Sequence, residues 1–107
     1  MRATRSLRMY SAHLTLFTRA NCGLCDVAKE RLSEVQRRRT VDYTEIDIMA
    51  DGQKQWRDCY EFDVPVLHVE RVFHTYSKPN IKTEAQKLMH RFSVEDVEKL
   101  IDEAEQA

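Results

Sequence analysis

Apolar and polar positions change period several times along this chain, and each change marks an element. Residues 13–18 (HLTLFT) are apolar and β-prone, and read as a largely buried strand. Arg19-Ala20-Asn21 is then a loop, with Asn21 as the expected N-cap of the helix that follows. In that helix Leu24, Val27, Ala28, Leu32 and Val35 fall on one face, while Lys29, Glu30, Ser33 and Glu34 fall elsewhere. Arg37-Arg38-Arg39 closes it, where positive charge complements the C-terminal end of the macrodipole; a nucleic-acid patch is the weaker reading of that triplet. Residues 41–48 (VDYTEIDI) read as a second strand, so the first half is a βαβ unit with two parallel strands. Residues 51–60 read as a helix with Trp56 and Tyr60 on one core-facing side, and residues 64–69 as a third strand opened by Pro65.

The last third is less regular. Residues 88–92 read as a fourth strand, and residues 71–86, with Pro79-Asn80 and a candidate cap at Thr83, as a long insertion in its hairpin. Ser93-Val94-Glu95-Asp96 has the form of an N-terminal capping signature, and Val94, Val97, Leu100 and Ile101 supply a helical stripe behind it. The whole reads as an α/β domain: a four-stranded mixed sheet, βαβ then β-β-α, with about three flanking helices.

Composition narrows the function classes. A chain of 107 residues, 42% hydrophobic and 33% charged, suits one globular domain. A net charge of −1 provides no global field for nucleic acid or acidic lipid, so neither is an expected partner, and no apolar run has the length to span a bilayer. Residues 1–12 carry Arg2, Arg5 and Arg8 without an acid, which reads either as a disordered basic tail or as an organelle transit peptide. The expected location is therefore cytoplasmic, with mitochondrial as the alternative, and the folded domain is expected over 13–107 as a monomer. Three cysteines, Cys22, Cys25 and Cys59, are too few and too odd in number for a secreted disulfide framework. They fit a reducing compartment.

Cys22 and Cys25 could be a redox pair, half of a metal site, or inert core thiols. The thiolate is the reactive form, and a free cysteine titrates at about 8.5. Cys22 lies at the start of a predicted helix, Arg19 lies just upstream, and no acid precedes it in the sequence. All three features favour an ionised sulfur. Cys25 comes one turn later, beside Asp26, where the apolar face begins. Cys22 is thus the expected exposed attacker and Cys25 the buried resolving thiol, at a spacing that closes a disulfide with little backbone movement. A metal site needs two more ligands; there is no second C-x-x-C, and His68, His74 and His90 fall on or near predicted strands, so no metal is expected. Cys59, on the second predicted helix, is expected to be a buried structural thiol.

With Cys22, Cys25 and Pro65 placed, the pattern resembles the thioredoxin fold, and glutaredoxins in particular, from about residue 13 to 101. LTLFTRANCGLCDVAKERL and YEFDVPVLHV are similar to a small group of glutaredoxin-like proteins that carry C-x-x-C-D-x-A-K. The resemblance implies a thiol–disulfide oxidoreductase with Cys22 as nucleophile, Cys25 as resolving thiol and a redox disulfide between them. It implies a cis Pro65 facing the pair, with Val64 offering its backbone N–H and C=O to an extended substrate. Arg19 stands where glutaredoxins often place a lysine that meets a glutathione carboxylate, a task suited to a guanidinium. Gly23 and Leu24 complete the expected substrate-contacting set. The implied partners are glutathione, as co-substrate rather than a tightly bound cofactor, or a disulfide-containing protein. Two positions depart from typical glutaredoxins: His90-Arg91-Phe92-Ser93 replaces a Gly-Gly turn, and Leu24 replaces the common aromatic between the cysteines. The competing readings are a glutathione or iron–sulfur cluster binding module, motivated by the small Gly23, and a redox-inactive adaptor that docks through the 71–86 insertion.

Overall fold

The computed structural model describes residues 10–74, 81–82 and 85–106. Its elements are β1 (Tyr10–Thr18), α1 (Gly23–Arg38), β2 (Asp42–Asp47), α2 (Lys54–Tyr60), β3 (Val66–Phe73), β4 (Ile81–Lys82), β5 (Gln86–Met89) and α3 (Val94–Glu105). β2 runs parallel to β1, and β3 antiparallel to it on the other side. β4 and β5 share the next position, β5 pairing with Val66–Val69 of β3 and β4 with Val72 and Phe73. The sheet is thus four positions wide and mixed, ordered β2-β1-β3 and then β4 and β5.

Central position explains the run of β1. Leu14 to Thr18 are all buried, because helices cover both faces of the sheet there. Alternation then divides the side chains. Ala12, Leu14 and Leu16 of β1 and Leu67 and Val69 of β3 face one core, against Ala28, Leu32 and Val35 of α1 and Val97 and Ile101 of α3. Phe17 and Val66 face the other, with Ile48, Trp56 and Tyr60. Phe17 meets Trp56 and Tyr60 at ring separations of 4.5 and 5.2 Å, so those aromatics are core, as the sequence implies.

Several boundaries move. β1 begins at Tyr10, ahead of the apolar run, because Tyr10 to Ala12 pair with Arg71 to Phe73. The same pairing extends β3 to Phe73, so the segment read as an insertion opens inside a strand; residues 75–80 and 83–84, with Pro79-Asn80 and Thr83, lie outside the described residues. α2 starts at Lys54 rather than 51, after Gly52 at φ 84°. The fourth strand stops at Met89 because His90 takes a left-handed backbone, φ 62°, which ends pairing. The capping signature is realised in full: Asp96 N–H donates to Ser93 Oγ at 3.0 Å and Ser93 N–H donates to the Asp96 carboxylate at 2.9 Å. Arg37 and Arg38 pair with Glu34, Arg38 also with Glu98, and Arg39 with Asp102 and Glu105. The arginine triplet therefore ties α1 to itself and to α3.

Candidate active site

β1 delivers the chain into a tight turn before α1. Asn21 holds the left-handed conformation in that turn, φ 58°, which asparagine tolerates better than most residues. It is therefore not the N-cap. Cys22 is, in an extended conformation, and its Sγ accepts the backbone N–H of Cys25 at 3.1 Å. The sulfur occupies the place that a serine or aspartate oxygen fills in other helices. An ionised sulfur there gains a charge-assisted hydrogen bond and the favourable end of the macrodipole. Cys22 is partly exposed and Cys25 is 1% exposed. Their Cα atoms are 5.2 Å apart and the two are disulfide-bonded, within the ordinary reach of that bond.

The other expected residues divide. Val64–Pro65 is a cis peptide and Pro65 is fully buried. Pairing of Phe17 with Val66 puts Pro65 level with the end of β1, the sheet end from which Cys22 emerges. The Pro65 carbonyl accepts the His90 N–H at 2.8 Å, which fixes the turn after β5 beside it. Arg19 donates to the Glu61 carbonyl at 3.3 Å, joining the loop before the cysteines to the loop before Pro65. Arg19 also borders a hollow shared with Lys29 and the carboxylates of Asp26, Glu45 and Asp47, so that hollow has mixed charge. Phe62, 90% exposed, sits on the loop leading to Pro65. At Gly23 an added Cβ would meet nothing within 4 Å, so no close approach requires glycine there.

A cleft of about 370 Å³ opens on the α1 side of the cysteines. Leu24, Val27 and Ala28 form its α1 wall, and Phe92 lies opposite. Arg31, His90 and Arg91 border it, with Ser93 and Asp96 at the start of α3. Val27, expected in the core, is 46% exposed, because α3 covers the face of Ala28 and Leu32 and leaves Val27 to the cleft. Cys59 also departs from expectation: it is a free thiol exposed on the outer side of α2, whose inner side is taken by Trp56 and Tyr60. Among the described residues no three His, Cys, Asp or Glu side chains converge as a metal-ligand set.

The model of the Glutaredoxin-like domain (DUF836) matches residues 13–102. The chain belongs to this glutaredoxin-like domain family. Solved thioredoxins share its fold. Thioredoxin O2 from Arabidopsis thaliana, in its oxidized state, matches with a TM-score of 0.60 at 18% identity, over 90% of this chain and 76% of that one. A Trichomonas vaginalis thioredoxin matches with a TM-score of 0.60 at 16% identity, over 87% and 78%. Thioredoxin 1 from Thermosipho africanus gives 0.56 at 15% identity, over 85% and 91%. In this glutaredoxin-like domain the fold brings Cys22, Cys25, Arg19, Val64 and Pro65 to one end of the sheet, with Leu24 turned into the cleft. Sequence reasoning missed Arg31 and Arg91. A signal for the first existed: Leu24, Val27 and Ala28, read above as core alone, share one helical stripe with Arg31.

Proposed function

We propose that this glutaredoxin-like domain is a thiol–disulfide oxidoreductase in which Cys22 attacks and Cys25 resolves. The carrying observation is the Cys25 N–H donated to a partly exposed Cys22 sulfur at the N-cap, with the buried Cys25 sulfur in bonding reach. In the dithiol form the Cys22 thiolate attacks one sulfur of a substrate disulfide. A bond forms between Cys22 and that sulfur, the substrate S–S bond breaks, and the other sulfur leaves as a thiolate. Deprotonated Cys25 then attacks Cys22 Sγ and expels the second substrate thiolate. Two electrons have passed to the substrate, and the protein holds the Cys22–Cys25 disulfide.

Glutathione is the proposed reductant: two molecules return the pair to dithiols and become one glutathione disulfide. Support for it is Arg19 on the loop before Cys22, and His90, whose left-handed backbone serves where other glutaredoxins place a glycine pair. The Val64 backbone is the proposed docking edge. The test is mass spectrometry of Cys25→Ser with oxidised glutathione. A single adduct of glutathione on Cys22 is expected. A folded variant that forms no adduct there at neutral pH overturns the reading.

A further inference from the structure

Buried polar groups are normally hydrogen-bonded, and a hydroxyl sealed from water without a partner carries a free-energy cost. Among the described residues Thr18 Oγ1 is the one buried side-chain oxygen or nitrogen with no hydrogen-bond partner. Thr18 is 6% exposed and is the last residue of β1. Its backbone is engaged, the carbonyl accepting the Ile48 N–H at 3.0 Å. It borders the hollow that holds Arg19, Asp26, Lys29, Glu45 and Asp47, yet its hydroxyl bonds none of them. Its surroundings here are those of the closed Cys22–Cys25 disulfide.

The group that changes most beside Thr18 on reduction is the Cys25 sulfur. Alternation along β1 puts Thr18 on the face of Ala12, Leu14 and Leu16, which α1 covers. β2 runs parallel to β1, so α1 runs back over the sheet from the end of β1. It buries Cys25, Ala28, Leu32 and Val35 against that face. Cys25 to Val35 covers about 15 Å of helix, and Thr18 to Ala12 about 20 Å of strand. The two rows start at the same end of the sheet, so Cys25, first in its row, lies over Thr18, last in its own. The neighbours of Thr18 on its row, Leu14 and Leu16, are apolar.

A disulfide sulfur is a weak acceptor, whereas a thiolate gains a charge-assisted hydrogen bond from a hydroxyl. Resolution needs Cys25 as the thiolate. Cys25 is 1% exposed, so water does little for a charge there, and its own N–H is given to Cys22. From this, and resting on the proposed oxidoreductase reading, we infer that the Thr18 hydroxyl donates to the Cys25 sulfur once the disulfide opens and holds it as the thiolate that resolves the mixed disulfide. Cys25 gives its proton to bulk water, and Thr18 keeps its own. The thiolate attacks Cys22 Sγ, the Cys22–Cys25 bond forms, and the bond from Cys22 to the substrate sulfur breaks. That sulfur leaves with the electron pair. Closure of the disulfide strands the hydroxyl again, so the same group also favours the dithiol over the disulfide.

The test compares Thr18→Val, which keeps the shape and drops the hydroxyl, with Thr18→Ser, which keeps the hydroxyl, both in the full chain. Each reduced protein is mixed with excess oxidised glutathione and quenched with acid at successive times. Mass spectrometry then follows the glutathione adduct on Cys22 and its conversion to the internal disulfide. In Thr18→Val the conversion is expected to slow about three- to tenfold while the adduct forms at an unchanged rate. That range is the usual gain from a hydrogen bond to a charged group, roughly halved in free energy because a stabilised thiolate is also a weaker nucleophile. Thr18→Ser restores most of the rate. In a glutathione redox buffer the Thr18→Val disulfide is expected to resist reduction by about two- to tenfold in equilibrium constant, tenfold being about 30 mV for two electrons. An unchanged conversion rate in Thr18→Val overturns the inference and leaves the oxidoreductase reading standing. Equal slowing in Thr18→Ser assigns the effect to packing and overturns it as well, and so does equal slowing of adduct formation, which places the effect on Cys22. Should Thr18→Val fail to fold, Thr18→Ala takes its place in the same comparison. Absence of any adduct on Cys22, in the wild type and in Cys25→Ser alike, overturns the oxidoreductase reading itself.

Discussion

At the scale of single residues, the N-cap position of Cys22 is expected to set its reactivity apart from that of Cys59. Cys22 is partly exposed and Cys59 exposed, yet Cys22 alone of the two has a helix N–H aimed at its sulfur. Alkylation followed by peptide mapping from pH 5 to 9 is expected to label Cys22 at lower pH than Cys59, which acts as an internal reference. Coincident profiles would show that the cap does nothing to the sulfur. His68 supplies a second residue-scale prediction. Its Nε2 shares a hydrogen bond of 2.7 Å with the Tyr60 hydroxyl, and its ring lies against Phe17 and Trp56. Burial, and then the charge of Lys87, lower its pKa from the ordinary 6.5, with Glu70 opposing. The folded protein thus holds this proton less tightly than the unfolded chain. The contribution to stability is complete above the ordinary histidine range and declines as pH is lowered through 6.5 toward the folded value. Urea midpoints measured across that window should fall in the wild type, and fall less in His68→Gln.

At the scale of elements, α1 and α3 owe their starts to different chemistry. α3 opens on a reciprocal cap between Ser93 and Asp96, which satisfies two backbone groups at once. The hydrogen bond from the Ser93 backbone, and then that from its side chain, lower the Asp96 pKa. Ser93→Ala is expected to destabilise the protein by about 1 kcal/mol, within the usual range for cap removal, read as a shift in denaturant midpoint. An unchanged midpoint would mean that packing of Val94 and Val97 holds that end unaided. α1 opens instead on a sulfur, so its cap changes character with oxidation state while its body is held by Ala28, Leu32 and Val35. This division lets a sulfur cap the helix without loosening it.

At the scale of the whole molecule, the sheet separates two cores, and the reactive end lies where both helix layers finish. α1 and α3 form the larger core, and the same two helices wall the cleft at its mouth. Ile101, fully buried there, is the most direct handle on that packing. Ile101→Ala should cost about 2–5 kcal/mol, the usual span for opening a cavity of that size, with an unchanged denaturant slope. A cost below 1 kcal/mol would mean that α3 repacks freely against the sheet. Among the described residues no helix is long and apolar enough to cross a membrane.

Most of the element order, the capping of α3 and the closeness of Cys22 to Cys25 were legible in the local pattern; β4, inside the segment read as an insertion, was not. Those features rest on short-range signals: period 2 against period 3.6, hydroxyls before helices, and spacing within one turn. Boundaries moved where a distant partner decided them. Tyr10 to Ala12 read as part of a basic tail, yet Arg71 to Phe73 pair with them and extend both strands. Packing of remote segments put Val27 in a cleft and Cys59 at the surface, and it left Arg31 and Arg91, among the described residues, without the carboxylate partners that Arg39 has. Burial and charge pairing depend on which remote segments converge on a residue, and the local pattern carries no record of that convergence.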